Sequence, residues 1–235
     1  MLDLAVPTTR ARQPNPPREA VRHIHFSNVR VDLELADISQ QVRFDAKTTV
    51  FAEGARADAV WNLDSGSVLL SKLLRDGRRQ VIGIAVSGDF LGRPMQATNG
   101  FTATTLTPVV LRRFDRLRFT DLLNRTPDLM RQVFETFSQE LAFAQDHMLL
   151  LGRRSAEEKV AAFLLHLRDR RAPQQGLTSR IDLPMTRQDI GDYLGLTLET
   201  VSRTITKLAH RKMIAVIPDG VRILDPDRLA RAASL

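Results

Sequence analysis

The 235-residue sequence contains no cysteine. Disulfide bonds, thiolate zinc sites and cysteine-ligated iron–sulfur clusters are therefore excluded for this chain. No apolar run approaches the about 20 residues that a membrane-spanning helix requires. The polar, proline-rich segment 1–17 also lacks the apolar stretch of a secretory signal. We therefore expect a cytoplasmic protein without a membrane partner.

The sequence also lacks the motifs that mark common enzyme classes. There is no phosphate-cradling glycine loop, no His-Glu-x-x-His pair and no Gly-x-Ser-x-Gly nucleophile elbow. The acidic residues are spread along the chain as solvated charges instead of being paired in one segment. These features predict that the protein is not an enzyme. They leave two classes of binding protein, a DNA-binding protein and a nucleotide-binding regulatory module without DNA binding.

Basic residues outnumber acidic ones, and the formal net charge is +7 with an isoelectric point of about 10.6. A basic balance suits a polyanionic partner, because each neutralised phosphate releases condensed counterions. Many basic proteins bind no nucleic acid, so the location of the charge matters more than its size.

The N-terminal half has the pattern of a β-domain. Residues 1–22 are typical of a flexible, solvated arm, because such a composition cannot bury apolar surface. Beyond the arm, short apolar segments are separated by glycine-bearing turns, and Asp76-Gly77 between two of them is a strong hairpin signal. We predict a β-barrel or β-jelly-roll over 23–120, with strands at 49–52, 59–62, 67–74, 80–85 and 109–114.

A long dimerisation helix is predicted over 121–152. Glycine is absent from 126–151, and Pro127 lies at a helix start, where its missing N–H costs nothing. Apolar residues recur at alternating spacings of four and three, which favours pairing with the same helix of a second subunit. A helix that lies along its own β-roll is the alternative. The predicted dimer seam consists of Met130, Phe134, Phe137, Leu141, Ala144, Met148 and Leu151.

The region 153–235 is predicted to be a winged helix-turn-helix domain. Ser155 and Glu158 form a capping box at the start of a helix, and a loop over 172–179 follows that helix. A β-hairpin around the turn at 218–220 completes the domain as its wing.

The helix-turn-helix itself is predicted between these elements. Thr186 caps its first helix, Gly195 permits the sharp turn that ends it, and Thr197 caps its second helix. Gly191 is small at the point where the two helices must approach closely. The inward faces consist of Ile190, Tyr193 and Leu194 on the first helix, and of Val201, Ile205 and Leu208 on the second.

The outward face of the second helix suits the reading of base edges. Arg203 can donate to both O6 and N7 of guanine, and Glu199 can accept from cytosine N4. The alternative is an ordinary exposed helix, on which these two residues form an ion pair four positions apart. The two interpretations are compatible, because such a pair would also orient Arg203 for the groove. The predicted base-reading residues are Leu198, Glu199, Ser202 and Arg203. The predicted phosphate contacts are Thr186, Arg187, Thr197 and Lys207.

At these residues the sequence resembles the CRP/FNR family of bacterial transcription regulators. The stretch RQDIGDYLGLTLETVSRTITKL (187–208) is similar to the reading unit of that family almost position for position, and Glu199, Ser202 and Arg203 match its FNR/FixK branch. The resemblance implies an α+β protein with a cyclic-nucleotide-binding-like jelly-roll, a dimerisation helix and a winged helix-turn-helix. It further implies a homodimeric activator that binds a TTGAT-type inverted repeat in double-stranded DNA and contacts RNA polymerase, with targets in low-oxygen respiration or nitrogen metabolism.

The N-terminal half departs from the ligand-binding pattern of the better-known relatives. Arg93 stands in the place of the glutamate that holds the ribose of a cyclic nucleotide, and the arginine–serine pair for its phosphate is missing from 100–105. The resemblance to FixK therefore implies no cyclic nucleotide, no iron–sulfur cluster, and no other cofactor or metal. The alternative is a sensor of the same fold that binds a small-molecule effector or haem in the β-roll. The histidines show no axial pair for haem and are expected at surfaces or interfaces: His23, His25, His147, His166 and His210.

Overall fold

The computed structural model describes residues 34–175 and 178–233. The predicted arm over 1–22, together with His23 and His25, lies outside the described residues. Within them, eleven strands form three sheets. The strands are β1 (Ser39–Phe44), β2 (Thr49–Phe51), β3 (Ala59–Ser65), β4 (Ser67–Leu73), β5 (Arg79–Val86), β6 (Phe90–Leu91), β7 (Thr102–Thr105), β8 (Val109–Asp115), β9 (Arg180–Asp182), β10 (Ile214–Ile217) and β11 (Gly220–Ile223).

Two antiparallel four-stranded sheets form the predicted β-jelly-roll. Their strand orders are β1-β8-β3-β6 and β2-β7-β4-β5, so the chain crosses from one sheet to the other between many consecutive strands. The inner faces of both sheets contribute to one core, in which Leu63, Val68 and Leu111 are fully buried. The predicted fold of this half is confirmed.

The predicted hairpin around Asp76-Gly77 is formed by β4 and β5, in which Leu73 pairs with Arg79. Gly77 has a φ of +83°, in the region that favours glycine. All five predicted strands are present, with ends that differ by a few residues. The sequence pattern does not predict β1, β6 and β7, because β1 is a polar edge strand, β6 has only 2 residues and β7 is mostly threonine.

Three helices follow the jelly-roll: α1 (Arg116–Arg125), α2 (Pro127–Arg153) and α3 (Ala156–Gln175). A break at Thr126 separates α1 from α2, and Pro127 occupies the predicted helix start. The predicted capping box of α3 is confirmed, since Ser155 and Glu158 each accept a hydrogen bond from the other's backbone N–H. The predicted loop begins too early, because α3 continues to Gln175. No helix in the described part of the chain is both long and apolar enough to cross a membrane.

The C-terminal half contains α4 (Arg187–Leu194), α5 (Leu198–His210) and α6 (Pro226–Ala232), together with the three-stranded sheet β10-β11-β9. β10 and β11 form the predicted wing hairpin, in which Ile217 pairs with Gly220. The core of this half is continuous with the jelly-roll, because Leu69, Val81 and Ile84 belong to the same buried cluster as the side chains of α3, α4 and α5.

Candidate nucleic-acid interface

Thr186 caps the first helix of the motif, α4, as predicted, and the structure adds a complete capping box with Asp189. The Oγ1 of Thr186 accepts from the backbone N–H of Asp189 at 3.1 Å, and the Oδ2 of Asp189 accepts from the backbone N–H of Thr186 at 2.9 Å. These bonds fix the first turn of the helix. The positive end of the helix dipole at this terminus favours an anionic group such as a phosphate.

A tight turn joins α4 to α5, and it requires glycine at two positions. Gly195 has a left-handed conformation (φ 62°, ψ 43°), as predicted for the residue that ends α4. At Gly191 an added Cβ would lie 2.6 Å from the backbone carbonyl oxygen of Leu196, which is too close for any side chain. The prediction of a small residue at 191 is confirmed, and its close neighbour is the turn that leads into α5.

The second helix, α5, divides sharply into a buried and an outward face. Thr197 caps it by accepting from the backbone N–H of Thr200 at 3.2 Å. Its buried face packs into the C-terminal core through Val201, Thr204, Ile205 and Leu208. The predicted base-reading residues therefore lie together on the opposite face, where Leu198, Glu199 and Arg203 are exposed and Ser202 is half-buried.

The side chains of Glu199 and Arg203 are available to a partner. Within the described residues they form no ion pair with each other, and Nη2 of Arg203 lies 3.5 Å from Oγ1 of Thr200. The pKa of the Glu199 carboxyl lies below its ordinary value, because its own backbone N–H and the hydroxyl of Thr197 donate to it and Arg203 adds a favourable charge. The surface ion pair considered as the alternative is not formed.

The predicted phosphate contacts divide into two groups. Thr186, Arg187 and Thr197 lie at or beside the N-termini of α4 and α5. Burial lowers the pKa of the half-buried Arg187, and the described residues offer it no acidic partner. Lys207 is different, because its Nζ lies 2.5 Å from Oε2 of Glu157 on α3. A phosphate must therefore compete with that carboxylate for Lys207.

Sequence patterns do not reveal the contacts that hold α4 from outside the motif. Arg79 at the start of β5 binds Asp189 and Asp192 of α4, although Asp189 lies 110 positions further along the chain. Two acidic side chains three positions apart indicate one helix face that needs a cationic partner. Nothing in the sequence indicates which of the many arginines supplies it.

The predicted dimer seam lies on α2 and is exposed over much of its length. Phe134, Leu141 and Met148 are 71%, 59% and 62% exposed, and Ala144 is also exposed. Met130 and Phe137 are half-buried against the cluster that joins α1 and α2 to the jelly-roll. Leu151 is half-buried, and one of its methyl groups lies beside Gly195.

The histidines within the described residues have different surroundings. His147 of α2 stacks on Tyr193 of α4, with ring centroids 4.1 Å apart, and its buried Nε2 has no hydrogen-bond partner among the described residues. Burial lowers its pKa. His166 packs edge-on against Phe143, and His210 is exposed. In this part of the chain, no three histidine or acidic side chains are grouped to hold a metal ion.

Arg93 follows β6 and is exposed, with Nη1 3.5 Å from Oε1 of Gln96. It lies beside Gly100, at the start of the segment that precedes β7. A guanidinium therefore stands where the resemblance places a carboxylate for a ribose.

Comparison with known proteins assigns both halves of the chain. The profile of the cyclic nucleotide-binding domain matches residues 41–126, and that of the Crp-like helix-turn-helix domain matches residues 158–232. The transcriptional activatory protein AadR of Rhodopseudomonas palustris is 48% identical over 86% of this chain and 84% of its own length. The nitrogen fixation regulation protein FixK of Bradyrhizobium diazoefficiens is 44% identical over 86% of this chain and 85% of its own length.

The fold comparison agrees with the sequence comparison. The structure of FixK2 from Bradyrhizobium japonicum superposes with a TM-score of 0.76 at 31% identity, over 83% of this chain and 97% of that one. A CRP-family regulator from Thermus thermophilus, TTHB099, shares the fold with a TM-score of 0.68 at 22% identity, over 83% of this chain and 97% of that one. The chain is thus a DNA-binding transcription regulator that belongs to the CRP/FNR family, in its FixK-like branch.

Proposed function

We propose that this protein is a transcription activator that binds as a homodimer to a TTGAT-type inverted repeat, without a cyclic nucleotide or an iron–sulfur cluster. The observation that carries the proposal is the outward face of α5, on which Glu199 and Arg203 are exposed and not paired with each other. Both side chains can therefore bind a base edge without first breaking an ion pair.

The chemistry of this face matches the proposed half-site. The N-terminal part of a reading helix reaches the floor of the major groove first, and Glu199, Ser202 and Arg203 all lie in that part of α5. The planar guanidinium of Arg203 matches O6 and N7 of the single guanine in TTGAT, and the carboxylate of Glu199 matches the N4 amino group of its paired cytosine. Leu198 is 41% exposed and can pack on a thymine methyl group.

Contacts to the DNA backbone set the register of this reading helix. Thr186, Arg187 and Thr197 flank the N-termini of α4 and α5, where backbone dipoles favour an anion. Lys207 adds a positive charge if a phosphate displaces the carboxylate of Glu157. Such contacts position the protein on DNA and carry no sequence information.

The exposed apolar seam on α2 supports a two-fold dimer. Phe134, Leu141 and Met148 lie at a/d spacing along one side of a 27-residue helix, and water covers them in the single chain. Pairing this seam with its copy removes the apolar surface from water. It also presents two reading helices related by two-fold symmetry, as an inverted repeat requires.

The remaining parts of the proposal concern the effector, the cofactor, the target genes and the location of the protein. Arg93 disfavours binding of a cyclic nucleotide ribose, and the absence of cysteine excludes a cysteine-ligated cluster. The names of AadR, FixK and FnrL identify those relatives as activators or as regulators of nitrogen fixation, which supports activation and targets in nitrogen metabolism. Contact with RNA polymerase and targets in low-oxygen respiration are expected from the family resemblance alone. We expect no catalytic activity, and we expect the protein in the bacterial cytoplasm, where its DNA target lies.

DNA binding by purified protein in air, without any added effector, tests the proposal. The expected result is a salt-dependent mobility shift on a duplex with the inverted repeat, and a much weaker shift when the guanine of each half-site is replaced. Parallel titrations add cyclic AMP or haem. Specific binding that occurs only with an added ligand would contradict the proposed effector independence and favour the effector-sensing or haem-sensing alternative.

A further inference from the structure

The jelly-roll contacts α4, the first helix of the helix-turn-helix, through side chains of β5. The guanidinium of Arg79, at the start of β5, donates through Nη2 to Oδ1 of Asp189 at 2.5 Å and to Oδ2 of Asp192 at 2.8 Å. Its Nε also donates to Oδ2 of Asp192, at 3.2 Å. The side-chain amide of Gln80 donates to the backbone carbonyl of Asp192. Two successive residues of β5 therefore bind one face of α4.

The two carboxylates depend on Arg79 because they are removed from most of the solvent. The side chains of Asp189 and Asp192 are only 10% and 15% exposed. Burial alone would raise the pKa of Asp189, yet hydrogen bonds from Thr186 and then from Arg79 outweigh it and lower the pKa. Without the guanidinium, two like charges would remain close together in a poorly solvated place.

Asp189 also connects this contact to the DNA-facing end of α4. Its Oδ1 binds Arg79, while its Oδ2 closes the capping box on Thr186. Thr186 is one of the residues that we expect at a phosphate. Arg79 thus supports the side chain that fixes the N-terminus of α4.

Apolar packing against β5 and an aromatic contact from α2 also hold α4 in place. Val81 and Ile84 of β5 belong to the same buried cluster as Ile190 and Leu194 of α4. On α2, His147 stacks on Tyr193 of α4 with an interplanar angle of 17°. The backbone of the turn approaches Gly191 closely, and α4 and α5 share one buried cluster, so we expect α5 to follow any movement of α4.

We propose that Arg79 is a positioning residue for DNA binding, which fixes the orientation of the helix-turn-helix relative to the jelly-roll and α2. This role rests on the proposed dimer on an inverted repeat, because orientation then sets the separation of the two reading helices. Half-sites lie about one helical turn (~34 Å) apart, so a small rotation of each motif displaces both helices from their grooves. Arg79 touches no DNA in this role.

The test is a series of duplexes in which the two half-sites are moved one base pair closer together or further apart. Wild-type protein should prefer one spacing strongly. Arg79→Ala should reduce that preference by about tenfold, because the motif can then adopt several orientations. Arg79→Lys keeps the positive charge but loses the planar guanidinium that binds both carboxylates. It should therefore reduce the spacing preference less than Arg79→Ala does.

Arg78→Ala is the matched control, since Arg78 is 78% exposed and pairs with Asp76 inside its own turn. It should leave the spacing preference unchanged. If each Arg79 variant weakens binding by the same factor at every spacing, or leaves binding unchanged, the positioning role is wrong while the proposed function stands. If the wild-type protein binds without any spacing preference, the dimer on an inverted repeat is wrong, and the positioning role fails with it.

Discussion

Helices α2 and α5 both leave one face open to solvent, but the chemistry of the two faces is opposite. On α2 the exposed surface includes an apolar stripe, with Phe134, Leu141 and Met148. On α5 the exposed face is polar and charged, with Glu199, Arg203, Thr206 and Lys207. An apolar face gains free energy from a partner that excludes water. A polar face gains little from burial alone and needs matched donors, acceptors and charges.

The chemistry of each face indicates which kind of partner it requires. The α2 face suits another protein surface of the same character, and a second copy of the helix supplies one. The α5 face suits the base edges and phosphates of DNA. The two associations should therefore respond differently to charge substitution, to salt and to pH, and four experiments test this contrast.

The largest effect is expected from charges placed in the α2 seam. Phe134→Glu with Leu141→Glu should give monomers, because each of these side chains contributes about 1.5–3 kcal/mol when fully buried and two-fold symmetry doubles every loss. Both side chains are exposed in the single chain, so the fold of each subunit should persist. Sedimentation velocity measures the outcome.

Leu149→Glu is the matched control for the seam. Leu149 is 70% exposed on the same helix but lies outside the predicted seam. This variant should remain a dimer. A seam variant that still sediments as a dimer and binds DNA normally would show that the exposed face of α2 is not the dimer interface.

The next largest effect is expected at Arg203. Arg203→Ala should cost about 1–3 kcal/mol per half-site and reduce discrimination at the guanine. Affinities of wild type and variant are measured for the TTGAT repeat and for a repeat with the guanine replaced. An unchanged ratio between the two sites would mean that Arg203 does not read that base pair.

A smaller effect is expected at Lys207. Lys207→Ala should weaken binding to all sequences alike and lower the slope of log K against log salt by about one unit, as a lost phosphate contact does. The loss of its partly exposed ion pair with Glu157 should cost about 1 kcal/mol of folding stability. Titrations at several salt concentrations give the slope. An unchanged slope would mean that Lys207 remains paired with Glu157 when the protein binds DNA.

The smallest effect is expected from protonation of His147, which connects α2 to the helix-turn-helix. Burial lowers its pKa below the ordinary 6.5, so the folded protein favours the neutral ring. Its contribution to stability is therefore present above pH 6.5 and is lost as the pH falls through the lowered pKa. Thermal melts at about pH 7.5 and about pH 5.5 should show a smaller acid destabilisation in His147→Phe than in wild type. Equal destabilisation of both proteins would contradict the prediction.

The parts of the fold that the sequence reveals are those with local signals. The cap at Thr186 and the capping box at Ser155 join residues three positions apart, and Gly77 and Gly195 mark turns by their backbone conformation. The buried and outward faces of α5 follow from helical periodicity alone. These features depend on interactions within one or two turns of chain, and pattern reading finds them for that reason.

The parts that the sequence conceals depend on distant pairings. The binding of Arg79 to α4, the stacking of His147 on Tyr193 and the pairing of Lys207 with Glu157 each join separate elements. A lysine on the outward face of a reading helix looks like a free phosphate contact until its neighbour on α3 is known. The short strand β6 is stabilised by its pairing with β3 and has no local pattern of its own.

The core shared by the jelly-roll and the C-terminal half has a consequence for how the molecule unfolds. Val81 and Ile84 of the jelly-roll are buried in one cluster with Ile190 and Leu208 of the helix-turn-helix. Excision of the C-terminal half would expose this apolar surface, so the DNA-binding part is not a detachable module. Calorimetry should accordingly show one cooperative transition. A cavity made at Val81 would then lower the amount of active regulator in the cell by unfolding both halves at once.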